Sequence, residues 1–260
     1  MSDTLRIIPA VKHRVVRKAG GGKTPYGLKV IDSCVTCPVH KERLFCNLPP
    51  QSLARFDAIS SSATYPRGAV LFVEGQEPRG VFVVCSGRVK LTASAADGKS
   101  IILRVADPGE IVGLPATLSG RPYELSAEAL EPIQANFVPR KDFLQFLAEH
   151  GEATLKVAEM LTDIYHALSQ EVRYLGLSHS AEQKLARFLV DLAGTEALAA
   201  PGPVRTTLTL THQEIAETVG SSRETVTRLF AGFRKRGLIE SHGSTVLIKD
   251  PRSLRTLAAV

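Results

Sequence analysis

The 260-residue sequence predicts an α+β chain: an antiparallel β-domain, then a long helix, then two short helices and a β-hairpin. Three patterns predict it. Between about Pro66 and Phe143, short β-rich runs alternate with glycine-bearing turns, the signature of an antiparallel sandwich or barrel. From Lys141 to Leu177, apolar residues recur at three- and four-residue spacing. Past a Pro/Gly linker, two helix-start signals flank a glycine, and a hairpin pattern follows.

Composition removes several alternatives. At roughly 150 residues per domain, the length allows one large or two modest domains. A hydrophobic share of 44% with 22% charged residues is globular rather than disordered or fibrous. No apolar run approaches the ~20 residues that span a bilayer, and the N-terminus lacks the apolar core of a secretory signal. Four cysteines are too few for a disulfide scaffold, so a cytoplasmic protein is expected. The net charge of +6 is unevenly placed. Residues 1–33 hold seven Lys/Arg against two Asp, residues 34–202 hold 16 against 19 acids, and residues 203–260 hold nine against five. A basic C-terminal segment behind a slightly acidic body suits nucleic-acid binding, although a solvated basic face would give the same sums.

Residues 1–33 read as a flexible basic tail, interrupted by Gly20, Gly21 and Gly22. Its GGGKT run is not a phosphate loop. The glycine required five positions before Gly22 is Arg17, and Pro25 stops any following helix. Residues 34–143 form a cysteine-bearing segment and the β-domain. Its strand runs are AVLFV, GVFVVC, RVKLTAS, SIILRVA and IQANFV, with Asp97-Gly98 marking a tight hairpin. Residues 144–178 carry the stripe Val157, Leu161, Ile164, Leu168, Val172 and Leu175, close to a coiled-coil seam. Pairing in a homodimer and packing on its own β-domain are the two uses of that stripe. A further helix, Ala181 to Leu192, follows with Ser180 as N-cap, opening the last domain, 179–260.

Within it, residues 209–242 read TLTHQEIAETVGSSRETVTRLFAGFRKRGLIESH. Thr211 and Glu214 make a capping box for a helix over Gln213–Val219 that stops at Gly220. Ser221 or Ser222 caps a second helix, Arg223 to Arg236. Arg223, Glu224, Thr227 and Arg228 share one polar face at its start, while Val226, Leu229, Phe230 and Phe233 face inward. LIESHGSTVLI then reads as a hairpin turning at His242-Gly243. Two helices joined by a glycine turn and backed by a hairpin make a winged helix-turn-helix.

This segment resembles the helix-turn-helix of the CRP/FNR family of bacterial transcription regulators, with its R-E-T-V-x-R run at Arg223 to Arg228. The resemblance extends over nearly the whole chain: β-roll sensor with a cyclic-nucleotide-binding-like fold, dimerisation helix, winged helix. It implies a homodimer on a palindromic operator in double-stranded DNA, with RNA polymerase as partner and no membrane association. Guanidinium groups donate twice to guanine, and carboxylates accept from cytosine. Arg223 and Arg228 are therefore candidate guanine readers, Glu224 a cytosine reader and orienter of Arg228, and Thr227 a member of the same face. Thr211 and Ser222 are candidate phosphate contacts at helix N-termini. Lys235 and Arg236 go to phosphate or solvent.

Cyclic nucleotide-binding members of the family hold the phosphate with an Arg-Ser/Thr-Ala run. Here Gly113-Leu114-Pro115 and Glu124-Leu125-Ser126-Ala127 stand at the matching places, so cyclic AMP is not the expected effector. Cys34, Cys37 and Cys46 resemble the N-terminal cysteines of FNR-type sensors, which implies an iron–sulfur cluster. The family's fourth cysteine falls on Asn136. Cys85 is the remaining candidate for that fourth ligand, or a buried inert thiol in its strand. Zinc through Cys34, Cys37, Cys46 and His40, or three unligated thiols, are the other readings. The sequence thus predicts a non-enzymatic DNA-binding regulator switched by its sensor domain. The alternative is an effector- or redox-sensing dimer whose helix-turn-helix serves protein contacts.

Overall fold

The computed structural model describes residues 26–95, 100–176, 180–194 and 202–258, without the side chains of 170–176. The GGGKT run, the Asp97-Gly98 turn, the core of the Pro/Gly linker, and the side chains of Val172 and Leu175 lie outside that range.

A 3-10 turn at His40–Glu42 and helix α1 (Pro50–Ile59) precede the β-domain. Its strands are β1 (Ser61–Tyr65), β2 (Val70–Phe72), β3 (Gly80–Ser86), β4 (Val89–Ser94), β5 (Ser100–Ala106) and β6 (Ile111–Val112), then β7 (Ser126–Ala129) and β8 (Ile133–Pro139) after the short helix α2 (Leu114–Ser119). They form two four-stranded antiparallel sheets, ordered β1-β8-β3-β6 and β2-β7-β4-β5. Successive side chains on a strand point to opposite faces, and β3 shows the consequence. Phe82 and Val84 enter the core between the sheets, with Phe72, Leu91, Ile133 and Ala135. Val81 and Val83 join a second core on the sheet's outer face, under Phe45, Phe56, Phe143 and Phe146. Gly87, between β3 and β4, has φ of 71°. A Cβ there would meet the Pro132 carbonyl oxygen at 2.5 Å, so only glycine serves this turn.

The predicted central helix is two helices, α3 (Arg140–Glu149) and α4 (Gly151–Gly176). They break at His150, whose Nδ1 meets the Ser52 hydroxyl of α1 at 2.9 Å. The stretch assigned from residue 144 to one dimer helix thus contains the end of α3 as well as α4. The stripe also divides. Val157 and Met160 are buried in the outer core and Leu161 packs against it, while Tyr165 and Leu168 are 68% and 44% exposed. Its first half serves the chain's own β-domain.

The tail assigned to residues 1–33 is also too long. The Ile31 backbone both donates to and accepts from the Gln134 side chain, and the Ser33 hydroxyl donates to Asp57. These bonds tie the segment to β8 and α1.

The C-terminal domain comprises α5 (Ala181–Ala193), β9 (Val204–Thr207), α6 (His212–Val219), α7 (Arg223–Lys235), β10 (Ile239–His242), β11 (Thr245–Ile248) and α8 (Pro251–Ala258). Strands pair antiparallel in the order β10-β11-β9. The shared core of Leu185, Leu189, Ile215, Val226, Phe230, Phe233 and Ile248 admits two residues of the β-domain, Leu130 as a buried member and Val105 against its side.

Candidate nucleic-acid interface and cysteine site

Helix α6 starts with the capping box read from the sequence. The Thr211 hydroxyl accepts from the Glu214 N–H at 3.2 Å, and the Glu214 carboxylate accepts from the Thr211 N–H at 2.8 Å. Gly220 adopts φ of 62° and closes the helix. Ser222 caps α7, its hydroxyl accepting from the Thr225 N–H at 3.2 Å. Amphipathic spacing then fixes the orientation of α7. Val226, Phe230 and Phe233 are buried, which turns Arg223, Glu224, Thr227 and Arg228 outward together, all exposed. Among the described residues, no hydrogen bond or ion pair joins Glu224 to Arg228.

Thr211 is engaged within its own capping box. Its hydroxyl proton goes to the Glu214 carboxylate at 2.9 Å. Arg236 differs from its expected role: it pairs with Glu182 of α5 and lies over the Phe233 ring at 5.1 Å, so it braces the domain. Lys235 is exposed.

Two contributors escaped the sequence reading. His212 stacks on Phe230 with centroids 4.8 Å apart, and its Nδ1 meets the Thr227 hydroxyl at 3.0 Å. That hydroxyl also donates to the Arg223 carbonyl at 2.9 Å, so the imidazole holds the outward face in register. Burial, with the charges of Arg234 and Arg223, lowers the His212 pKa. The signal was present as a histidine one residue after the cap, but only the fold shows what it touches. Arg234 donates to the Ser241 hydroxyl at 2.9 Å, tying α7 to the wing strand β10.

The cysteines lie against the β-domain. Phe45 anchors their segment, packing on Phe56 at 5.2 Å, and Cys34 and Cys46 pack against the same core. The Cys34 N–H donates to Asp57 at 2.8 Å, and the Asn136 amide donates to the Cys34 sulfur at 3.2 Å. Cys37 and Cys85 are buried. Burial, reinforced by neighbouring thiols, raises the Cys34 pKa far above the ordinary thiol value. Burial brings Cys46 to about 11, against the opposing charge of Arg43. It brings Cys85 to about 12, with Cys46 adding to the rise. Among the described residues, no three His, Cys, Asp or Glu side chains converge on a single-ion site, and His40 Nδ1 is taken up by the Cys37 carbonyl at 2.7 Å. The zinc arrangement is therefore not built.

The β-domain interior matters equally. Beside Gly113, Tyr123 stacks on Phe72 with centroids 4.0 Å apart and donates its hydroxyl to the Gly80 carbonyl at 2.7 Å. Glu124 is exposed.

A two-sheet sensor domain joined by a long helix to a winged helix-turn-helix, with a free polar face on its second helix, defines a DNA-binding transcription regulator. Comparison with known proteins bears this out. Residues 63–150 match the family model of the cyclic nucleotide-binding domain, and residues 183–257 match that of the Crp-like helix-turn-helix domain. The chain is 28% identical over 211 residues to a CRP-like cAMP-activated global transcriptional regulator of Mycobacterium tuberculosis, covering 81% of this chain and 94% of that one. It is 24% identical to the anaerobic regulatory protein of Bacillus subtilis, over 75% of this chain and 82% of that one. The structure of FixK2 from Bradyrhizobium japonicum shares the fold with a TM-score of 0.67 at 22% identity, covering 78% of this chain and 98% of that one. The chain belongs to the CRP/FNR family of transcription regulators.

Proposed function

We propose that the protein is a homodimeric, sequence-specific regulator that reads a palindromic operator through α7 and senses its signal through the cysteine segment rather than a cyclic nucleotide. One observation carries the DNA reading. Arg223, Glu224, Thr227 and Arg228 stand exposed together on the first turns of a capped helix whose opposite face is core. Arg223 and Arg228 would donate to guanine edges and Glu224 would accept from cytosine. Ser222 and the N-terminal amides of α6 and α7 would position phosphates. Thr227 is held by His212 and bonds the Arg223 carbonyl. Anisotropy titrations of a fluorescent palindrome at several salt concentrations test this. Tight binding with a negative log–log salt slope is expected, and salt-independent or absent binding would point to the protein-contact alternative.

The dimer reading rests on Tyr165 and Leu168, apolar faces left open on α4. Two half-sites joined on one duplex would supply twice the contacts of one. RNA polymerase is the expected further partner, and a cytoplasmic location suits this work. No helix of the described residues is long and apolar enough to cross a membrane.

For the signal, the residues fit an iron–sulfur cluster. Soft thiolates are its ligands, and Cys34, Cys37 and Cys46 are gathered on one segment with the Asn136 amide donating to sulfur. A bound cluster would supply oxygen- or redox-dependent ligation, while Phe45 and Asp57 hold the segment against the sheet. Cyclic AMP finds no matching place. Tyr123 and Phe72 stand against Gly113, and Glu124-Leu125 occupy the sequence places where the resemblance would put the phosphate-holding arginine. The absorption spectrum of protein purified without oxygen, with iron analysis, tests the cluster.

A further inference from the structure

We infer that Thr227 is a specificity-determining residue that reads thymine through its γ-methyl, because His212 and the Arg223 carbonyl hold its hydroxyl away from the bases. This rests on the DNA reading above and gives a base to the one residue of the α7 face that charge leaves without one.

A count of protons carries the inference. A hydroxyl has one proton to donate and two lone pairs to accept with. The Thr227 Oγ1 donates its proton to the Arg223 carbonyl at 2.9 Å, one turn back along α7. A carbonyl has no proton to offer, so the direction of that bond is fixed. His212 Nδ1 stands 3.0 Å from the same oxygen and is therefore the donor there. The imidazole is itself held, stacked on the buried Phe230 with centroids 4.8 Å and planes 20° apart. With its proton spent and one lone pair filled, the Thr227 hydroxyl cannot donate to the acceptor atoms of a guanine or a thymine.

The methyl is what remains for a base. Threonine carries Oγ1 and Cγ2 on one Cβ, in neighbouring staggered positions, so fixing χ1 through the hydroxyl fixes the methyl as well. A helical threonine divides between two rotamers, one of them bonded back to the preceding turn. Here a bond from α6 and a bond within α7 together select that rotamer. Thr227 is exposed, one turn after Arg223 and next to Arg228. A recognition helix brings its N-terminal residues to base edges, and thymine alone of the four bases presents a methyl in the major groove, where a threonine methyl packs against it. With Arg223 and Arg228 on guanine edges, the thymine would lie beside a guanine in each half-site. His212 acts through Thr227 and is a positioning residue, so the first helix of the pair takes part in readout without touching a base.

The test measures operator binding of the full chain by fluorescence anisotropy. The probe is the palindrome that the native chain selects from a random duplex pool, with deoxyuridine placed symmetrically for each thymine in turn, which removes only the 5-methyl. For the native chain, uracil at one thymine position should weaken binding about fourfold per half-site, the worth of one CH2 group taken from water. Thr227→Ser keeps the hydroxyl and loses the methyl, and should bind the thymine and uracil duplexes alike at that position. Thr227→Val keeps a methyl and loses the hydroxyl, and should retain the discrimination. His212→Ala should reduce it, because the hydroxyl can then turn towards the bases. His212→Asn, with an amide to donate in place of Nδ1, should restore it. Thermal unfolding checks that each variant is folded. A folded Thr227→Ser variant with native discrimination, or a folded Thr227→Val variant without it, would overturn the inference. So would a His212→Ala variant that discriminates as the native chain does. A native chain that selects a palindrome but is indifferent to uracil at every position overturns this inference alone, and one that selects no duplex overturns the DNA reading with it.

Discussion

Lys90 of β4 reaches across to Glu214 of α6 with Nζ and Oε1 3.5 Å apart, both side chains mostly buried. The same ammonium pairs with Glu128 of β7 at 3.3 Å, and Leu130 enters the C-terminal core just beyond. The sensor sheet thus grips the residue that caps the first helix of the helix-turn-helix. Burial pushes the Glu214 carboxyl up, but bonds from Thr211 and the charge of Lys90 outweigh it and leave its pKa lowered. A lowered folded-state pKa gives stability that is complete above the ordinary carboxylate range. That stability fades as pH falls through the folded value.

Glu214→Ala should accordingly destabilise the C-terminal domain by about 1–2 kcal/mol at neutral pH, since the cap and the cross-domain pair go together. Lys90→Met keeps the cap and removes the ammonium's pairs with both Glu214 and Glu128, and should cost about 1 kcal/mol. Urea unfolding at pH 7 and pH 4 checks both the order and the pH trend. Equal effects at both pH values would show that Glu214 acts only through packing.

The reading face gives a prediction about sequence. By family resemblance, an arginine at the place of Arg223 goes with TGTGA-like half-sites, while FNR-type members with another residue there read TTGAT-like ones. Selection from a random duplex pool should enrich TGTGA-type palindromes. Arg223→Ala should cost about 1–3 kcal/mol per half-site and relax one guanine position. Lys235→Ala should weaken all sequences alike or change nothing. Enrichment of TTGAT-type sites would remove Arg223 from the readers.

Charged residues at Tyr165 and Leu168 should yield a folded monomer with operator binding lost, measured by sedimentation. These side chains are open in the single chain and have no core to damage. Leu161→Asp should instead disturb the β-domain as well, because Leu161 packs on its outer core. A Tyr165/Leu168 double variant that still sediments as a dimer places the seam elsewhere.

Calorimetry with cyclic AMP should show no micromolar binding. Tyr123→Ala should destabilise the β-domain by about 3–5 kcal/mol, the range for removing a large buried ring. Its hydroxyl bond to Gly80 goes with it. Micromolar affinity in the native chain would show that the aromatic filling rearranges.

Local signals in the sequence determined much of this protein. The caps at Ser180, Thr211 and Ser222, the stop at Gly220, and the β-rich run GVFVVC each depend on neighbours a few residues away, and each is found in the structure. The polar face of α7 followed from the same arithmetic of 3.6 residues per turn. Short elements were harder to see. β1 is the polar run SSATY, β6 has two residues, and α1 begins behind Pro49-Pro50, so none carries enough periodicity to read. What tertiary structure alone decided are contacts between residues far apart in the chain. The central helix breaks at His150, which meets Ser52 of α1, and Val157 turning to its own core divides the stripe. Asn136 of β8 donating to the Cys34 sulfur joins a strand to a segment that sequence spacing leaves far from it. Periodicity says which way a side chain points along its own strand, but only the pairing of β3 with β8 says what stands beside it.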